Sequence, residues 1–198
     1  MNKKIQKNNG MTYVELIVVL SIFSVLSSVA IFNYGAFQDR IDIKNLASDI
    51  ALKIVEAQKS SINGLLPLAG YNPDTWKPSY GVYFDISVPK QFIYFADLDN
   101  NNFYNGLSSY TTTEYLDKII ITKNNVISNI DNCSSNPCTP SSINPLSITF
   151  QRPDSKADFF TNQILTLTGS GYIQITILSP KGAKALIKIY PSGRVQVN

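Results

Sequence analysis

The sequence predicts an α+β protein in which one long N-terminal helix leads into a head of antiparallel strands. Residues 11–32, MTYVELIVVLSIFSVLSSVAIF, form an apolar run broken only by hydroxyls and one carboxylate, Glu15. From residue 36 to residue 61, apolar residues recur mostly at steps of three or four, the period of a helix with one buried stripe. Beyond that, short segments rich in Val, Ile, Thr, Tyr and Phe are bounded by Asn, Asp, Gly, Pro and Ser, as strands are.

The chain has 198 residues, enough for one or two domains. It contains no histidine, which excludes histidine-based acid–base catalysis and histidine metal ligation. Its net charge of +3 comes from 17 basic and 14 acidic residues. Three of the basic ones, Lys3, Lys4 and Lys7, lie in the first ten residues, so the remainder carries 14 of each sign. The basic balance therefore belongs to the leader and does not indicate a nucleic-acid-binding surface.

Residues 1–10, MNKKIQKNNG, are short, basic and polar. As a helix, the 22 residues from 11 to 32 would span about 33 Å, against about 30 Å for a bilayer core. The preceding lysines would stay cytoplasmic and the rest of the chain would lie outside. A secretory signal peptide, with Ser28-Val29-Ala30 offering a small-x-small cleavage site, and a plain membrane anchor both fit the apolar run. Neither explains Glu15, since a carboxylate inside an apolar span costs about 2.5–3.5 kcal/mol.

The amphipathic segment, 36–61, places Phe37, Ile41, Ile43, Leu46, Ala47, Ile50, Ile54, Val55 and Ala57 on its apolar stripe. No proline occurs before Pro67, so one helix can run from Met11 to about Ser61, loosened at Gly35 and ended by Asn63-Gly64. Strands are expected at 81–84, 91–96, 118–122, 126–130, 146–151, 164–168, 172–177, 183–190 and 194–197. Polar loops are expected at 66–80, 97–114 and 131–144. The sheets would wrap on the exposed half of the helix.

Gly10-Met11-Thr12-Tyr13-Val14-Glu15-Leu16 resembles the prepilin peptidase site of type IV pilins and pseudopilins. That pattern joins a basic leader, a Gly, a hydrophobic residue and a Glu five places after the cut. Met11 stands where Phe is commonest, and Tyr13-Val14 replace a Leu-Ile pair. The resemblance implies a pilin-like fold with a cleaved leader (1–10), a transmembrane and assembly helix (11–35) and a periplasmic or extracellular head (36–198). It implies cleavage between Gly10 and Met11 by a prepilin peptidase, which also N-methylates Met11. The chain would then leave a single-pass position in the cytoplasmic (inner) membrane through an assembly platform and join other pilins in a helical filament. There Glu15 would pair with the Met11 amine of a neighbouring subunit, each charge offsetting the cost of burying the other.

The C-terminal half resembles the GspH/FimT-like minor pseudopilins in Ile148-Thr149-Phe150-Gln151-Arg152-Pro153, then two strands, then 185–197 with a Gly193-Arg194 turn. Pro153-Asp154 stands loosely where that family has a glycine turn. This implies a minor subunit of a pilus or of a type II secretion pseudopilus. Some FimT-like pilins capture DNA through a basic C-terminal tail, which would place Lys184, Lys188 and Arg194 on DNA. Gln196 stands where a second arginine is expected, and a head without net charge is a poor phosphate binder.

Four residues separate Cys133 from Cys138, a spacing open to a small disulfide-closed loop or to two free thiols. The pair cannot complete a four-ligand zinc site alone. In 97–104, Asp97, Asp99 and Asn101 alternate as the first ligands of a calcium loop do, with Glu114 within reach. The sixth position is Asn102 instead of Gly and the twelfth is Ser108 instead of Glu, and an Asn-rich turn accounts for the same residues. No other cofactor is expected. Serines lack a histidine partner and no phosphate loop or metalloprotease motif occurs, so the sequence reads as a non-enzyme.

Overall fold

The computed structural model describes residues 10–65, 78–104, 106, 114–135, 137–161 and 171–198. The chain divides into two units, 1–39 and 40–198. A single 51-residue helix, α1 (Tyr13–Asn63), runs through that division. Ten strands follow: β1 (Ser79–Phe84), β2 (Gln91–Asp97), β3 (Tyr115–Ile120), β4 (Val126–Cys133), β5 (Pro140–Ser142), β6 (Leu146–Phe150), β7 (Ala157–Phe160), β8 (Tyr172–Leu178), β9 (Lys184–Ile189) and β10 (Val195–Val197). One helix and antiparallel sheets make the protein α+β, as the sequence predicts.

In the first unit, every large apolar side chain described from Met11 to Ile31 is exposed. This is the one helix among the described residues that is long and apolar enough to cross a membrane.

In the second unit, Ile43, Ala47, Ile50, Ile54 and Ala57 of α1 are fully buried. Their alternating steps of four and three keep one stripe on one side of a 3.6-residue helix. Phe37, expected on that stripe, falls in the first unit and is 61% exposed. The buried stripe joins one core with the inner residues of two five-stranded sheets.

The first sheet is ordered β3-β2-β1-β6-β7 and the second β10-β9-β8-β4-β5, with antiparallel neighbours throughout. Period-2 alternation turns Tyr80, Val82 and Phe84 inward from the first sheet and Ile173, Ile175 and Ile177 from the second. Backbone bonds join the sheets, from Ile127 N–H to the Pro89 carbonyl (2.9 Å) and from Ala157 N–H to the Pro191 carbonyl (3.0 Å).

Lys53 bonds Glu56 (2.9 Å) and Asp117 of β3 (3.5 Å), and Lys123 bonds Asp42 (2.7 Å). The end of α1 is held by tertiary groups: Tyr94 and Ser60 hydroxyls bond at 2.9 Å, and Tyr80 donates to the Leu65 carbonyl at 2.8 Å. Arg152 lies so close over Gly64 that a Cβ there would run into its guanidinium. A cation at this end also suits the partial negative charge of a helix C-terminus.

The strands depart from the sequence reading in several places. β1 begins at Ser79 instead of 81, and β4 runs on to Cys133 into the loop expected from 131, because it pairs there with β5 and β8. The third begins and ends earlier than 118–122; its pairing with β2 shifts register between Tyr94 and Phe95, and Ile121 is buried. The short strands β5 and β7 fall where loop or turn was read; β5 is polar and exposed and is set by pairing with β4. Arg194 is not in the last strand, since its carbonyl accepts Tyr190 N–H (2.9 Å) to close the preceding turn. The strand expected at 164–168 and most of the loop expected at 66–80 lie outside the described residues.

Candidate functional site: the capped start of the apolar helix

The helix begins two residues after Met11. Thr12 Oγ1 accepts Glu15 N–H at 3.2 Å, and the Thr12 carbonyl accepts Leu16 N–H at 3.1 Å. Thr12 is therefore the N-cap and Glu15 the third helical residue, the spacing of a capping box. A carboxylate in the first turn also suits the partial positive charge of a helix N-terminus. Thr12 has a role that the sequence reading missed, although Thr-x-x-Glu before an apolar run is the signal for it. Met11 is 58% exposed, and among the described residues a Cβ at Gly10 would meet nothing within 4 Å.

Asp97, Asp99 and Glu114 bring carboxylate oxygens within 4.8 Å of one another. Asp97 is fully buried and accepts Ser79 Oγ (3.0 Å), Asn101 N–H (3.2 Å) and Asn102 N–H (2.9 Å). Burial first, then its neighbour Asp99, holds its carboxyl above the usual range. Glu114 accepts Leu98 N–H at 3.2 Å. Asn101, expected as a third ligand, instead donates its amide to Asp99 (2.8 Å) while its carbonyl oxygen accepts Phe103 N–H (2.7 Å). Asn100 and Asn102 adopt φ of 61°, the turn conformation that Asn tolerates. The group that could hold a hard cation is thus Asp97, Asp99 and Glu114, in a loop whose backbone already satisfies several of their lone pairs.

On the second sheet, Lys188 Nζ lies 4.8 Å from the centre of the Tyr172 ring, and the Arg194 guanidinium lies 4.0 Å from that of Tyr190. The two rings are 5.4 Å apart. Lys188 and Arg194 thus share one cation–aromatic group, whereas Lys184 lies four residues along β9, about 13 Å at 3.3 Å each. Cys133 and Cys138 form a disulfide. It closes the loop between β4 and β5, beside the pairing of Cys133 with Pro140.

No family model, curated protein or solved structure matches the chain.

Proposed function

We propose that the chain is a minor type IV pilin or pseudopilin subunit, cut after Gly10 and assembled through α1 into a pilus or a secretion pseudopilus. The observation that carries this reading is the helix start. The helix begins at Tyr13, two residues after Met11, with Glu15 in its first turn and its described large apolar side chains exposed as far as Ile31. Exposed apolar surface of this length needs lipid or other apolar helices to cover it. In a filament of stacked helices, the Glu15 carboxylate would meet a neighbour's Met11 amine in a dry core, where pairing offsets desolvation and sets axial register.

The test is the N-terminal sequence and intact mass of the chain purified from membranes that contain a prepilin peptidase. A start at methylated Met11 is expected, and an intact Met1 or a start at Ile31 would refute the reading. Glu15→Gln then separates charge from capping, because Gln also serves at that capping-box position. This variant should be cut and remain membrane-bound yet be lost from filaments; normal incorporation would remove the assembly role of Glu15.

A second reading, DNA capture during uptake, is favoured by Lys188 and Arg194 lying over two tyrosine rings 5.4 Å apart. DNA binding of this kind weakens steeply with salt. Arg194→Ala should then weaken it and reduce its salt dependence, and no salt-sensitive binding by the parent protein would exclude it.

A further inference from the structure

We infer that two tyrosines set the depth of the apolar helix in the bilayer, with Tyr13 at the cytoplasmic headgroups and Tyr34 at the outer ones, so that Glu15 lies at the cytoplasmic edge of the hydrocarbon. This deepens the proposed function and rests on its membrane-anchored step. Tyr13 is 77% and Tyr34 65% exposed. They are 21 residues apart on one helix, about 32 Å at 1.5 Å per residue, and a bilayer core is about 30 Å thick. Tyr and Trp concentrate at the two membrane interfaces because the ring is apolar and the hydroxyl needs water.

The backbone supplies a second, independent argument for Tyr13. The helix starts there, and the first N–H groups of an α-helix lack an intrahelical acceptor. Thr12 Oγ1 satisfies that of Glu15, and those ahead of it need water or headgroup oxygens. In hydrocarbon each would cost several kcal/mol, so the helix start belongs at the interface. Charge agrees at both ends: no Asp, Glu, Lys or Arg lies between Glu15 and Asp39, and Lys3, Lys4 and Lys7 precede the start.

The midpoint of this span falls between Phe23 and Ser24. Glu15 is then about 13 Å from the centre, just inside a half-thickness of about 15 Å, within side-chain reach of the headgroups. The charge penalty before assembly is thereby lower than at mid-bilayer but not removed, and the Gly10–Met11 bond lies on the watery side, where a protease can reach it.

The test uses the full chain in phosphatidylcholine–phosphatidylglycerol vesicles at low protein density. The described cysteines are bonded to each other, so introduced thiols label selectively. Nitroxide labels at Met11→Cys, Val18→Cys, Phe23→Cys, Val29→Cys and Phe37→Cys are read by collision with oxygen, enriched in hydrocarbon, and with a nickel chelate, enriched in water. The expected profile is symmetric: Phe23 deepest, Val18 and Val29 equal, Met11 and Phe37 in water. A centre displaced towards the N-terminus, with Val18 deeper than Phe23, would bury Glu15 and overturn the assigned depth while leaving the anchor intact. Five water-exposed labels would overturn the anchor itself. Labels shielded from oxygen and nickel alike would mean that second copies, not lipid, cover the helix, and would also overturn the inference.

Discussion

Gly193→Ala tests how the head is closed. Gly193 has φ of +82° and its N–H donates to the Tyr190 carbonyl at 2.8 Å, closing the turn between β9 and β10. A Cβ at this position would run into the Ser155 carbonyl oxygen and Gln58 Nε2. That amide is the clasp of the region, donating from α1 to the Ser155 carbonyl (2.7 Å) and to the Gly193 carbonyl (3.4 Å). A left-handed backbone costs an L-residue about 1–2 kcal/mol. Overpacking adds about 1–3 kcal/mol, and a displaced Gln58 hydrogen bond about 0.5–1.5 kcal/mol. The substitution should therefore destabilise by roughly 2.5–6.5 kcal/mol. For a chain of this size each kcal/mol is worth about 2–4 °C of Tm.

Gly182→Ala is the matched control, because Gly182 has φ of +88° but open space around its Cβ position. It should cost only the backbone part, about 1–2 kcal/mol. Urea unfolding of the detergent-solubilised chain, followed by circular dichroism, measures both. Equal losses for the two variants would refute the packing argument and leave the backbone angle as the whole effect.

Three further outcomes are expected. Ile50→Ala, at a fully buried point of the α1 stripe, should cost about 2–5 kcal/mol by urea unfolding, whereas Leu52→Ala, 65% exposed on the same helix, should change stability far less. Replacing Cys133 and Cys138 together by serine opens a loop with a sequence separation of 5 and should cost about 2 kcal/mol on loop-closure grounds; an unchanged urea midpoint would show the β4–β5 hairpin to be held by its ladder alone. Burial holds the Asp97 and Asp131 carboxyls above their usual range, so from the unfolded carboxylate pKa upward the native state keeps protons that the unfolded chain has released. Their contribution to stability should fall as pH rises through those raised values, and Asp97→Asn with Asp131→Asn should flatten that part of a urea-midpoint profile.

The second helical segment was legible because a stripe at steps of three and four has one periodic solution, and Ile43, Ala47, Ile50, Ile54 and Ala57 are buried where the pattern places them. Most strands were legible from β-branched and aromatic runs between turn residues. Phe37, placed on that stripe by the same count, falls in the first unit and is exposed. The candidate site was half legible. Gly10, Met11 and Glu15 stand out in the sequence, but the cap formed by Thr12 is a hydrogen bond and needed coordinates. Of the basic residues, only geometry joins Lys188 to Arg194 through two tyrosine rings. In the acidic loop Glu114 already stood within reach in the sequence, and geometry removes Asn101, which is turned to Asp99 and Phe103.

The sequence by itself determined the element types, the apolar helix with its lone carboxylate, and the absence of histidine chemistry, because these depend on composition and on local period. The tertiary structure decided what distant segments share: the order of the ten strands in two sheets, the short strands β5 and β7, the clasp of Gln58 on Ser155 and Gly193, and the guanidinium of Arg152 over Gly64. Strand pairing and side-chain clasps join residues up to 135 positions apart, and no local pattern encodes such a partner; it is fixed only when burial of the whole core selects one register.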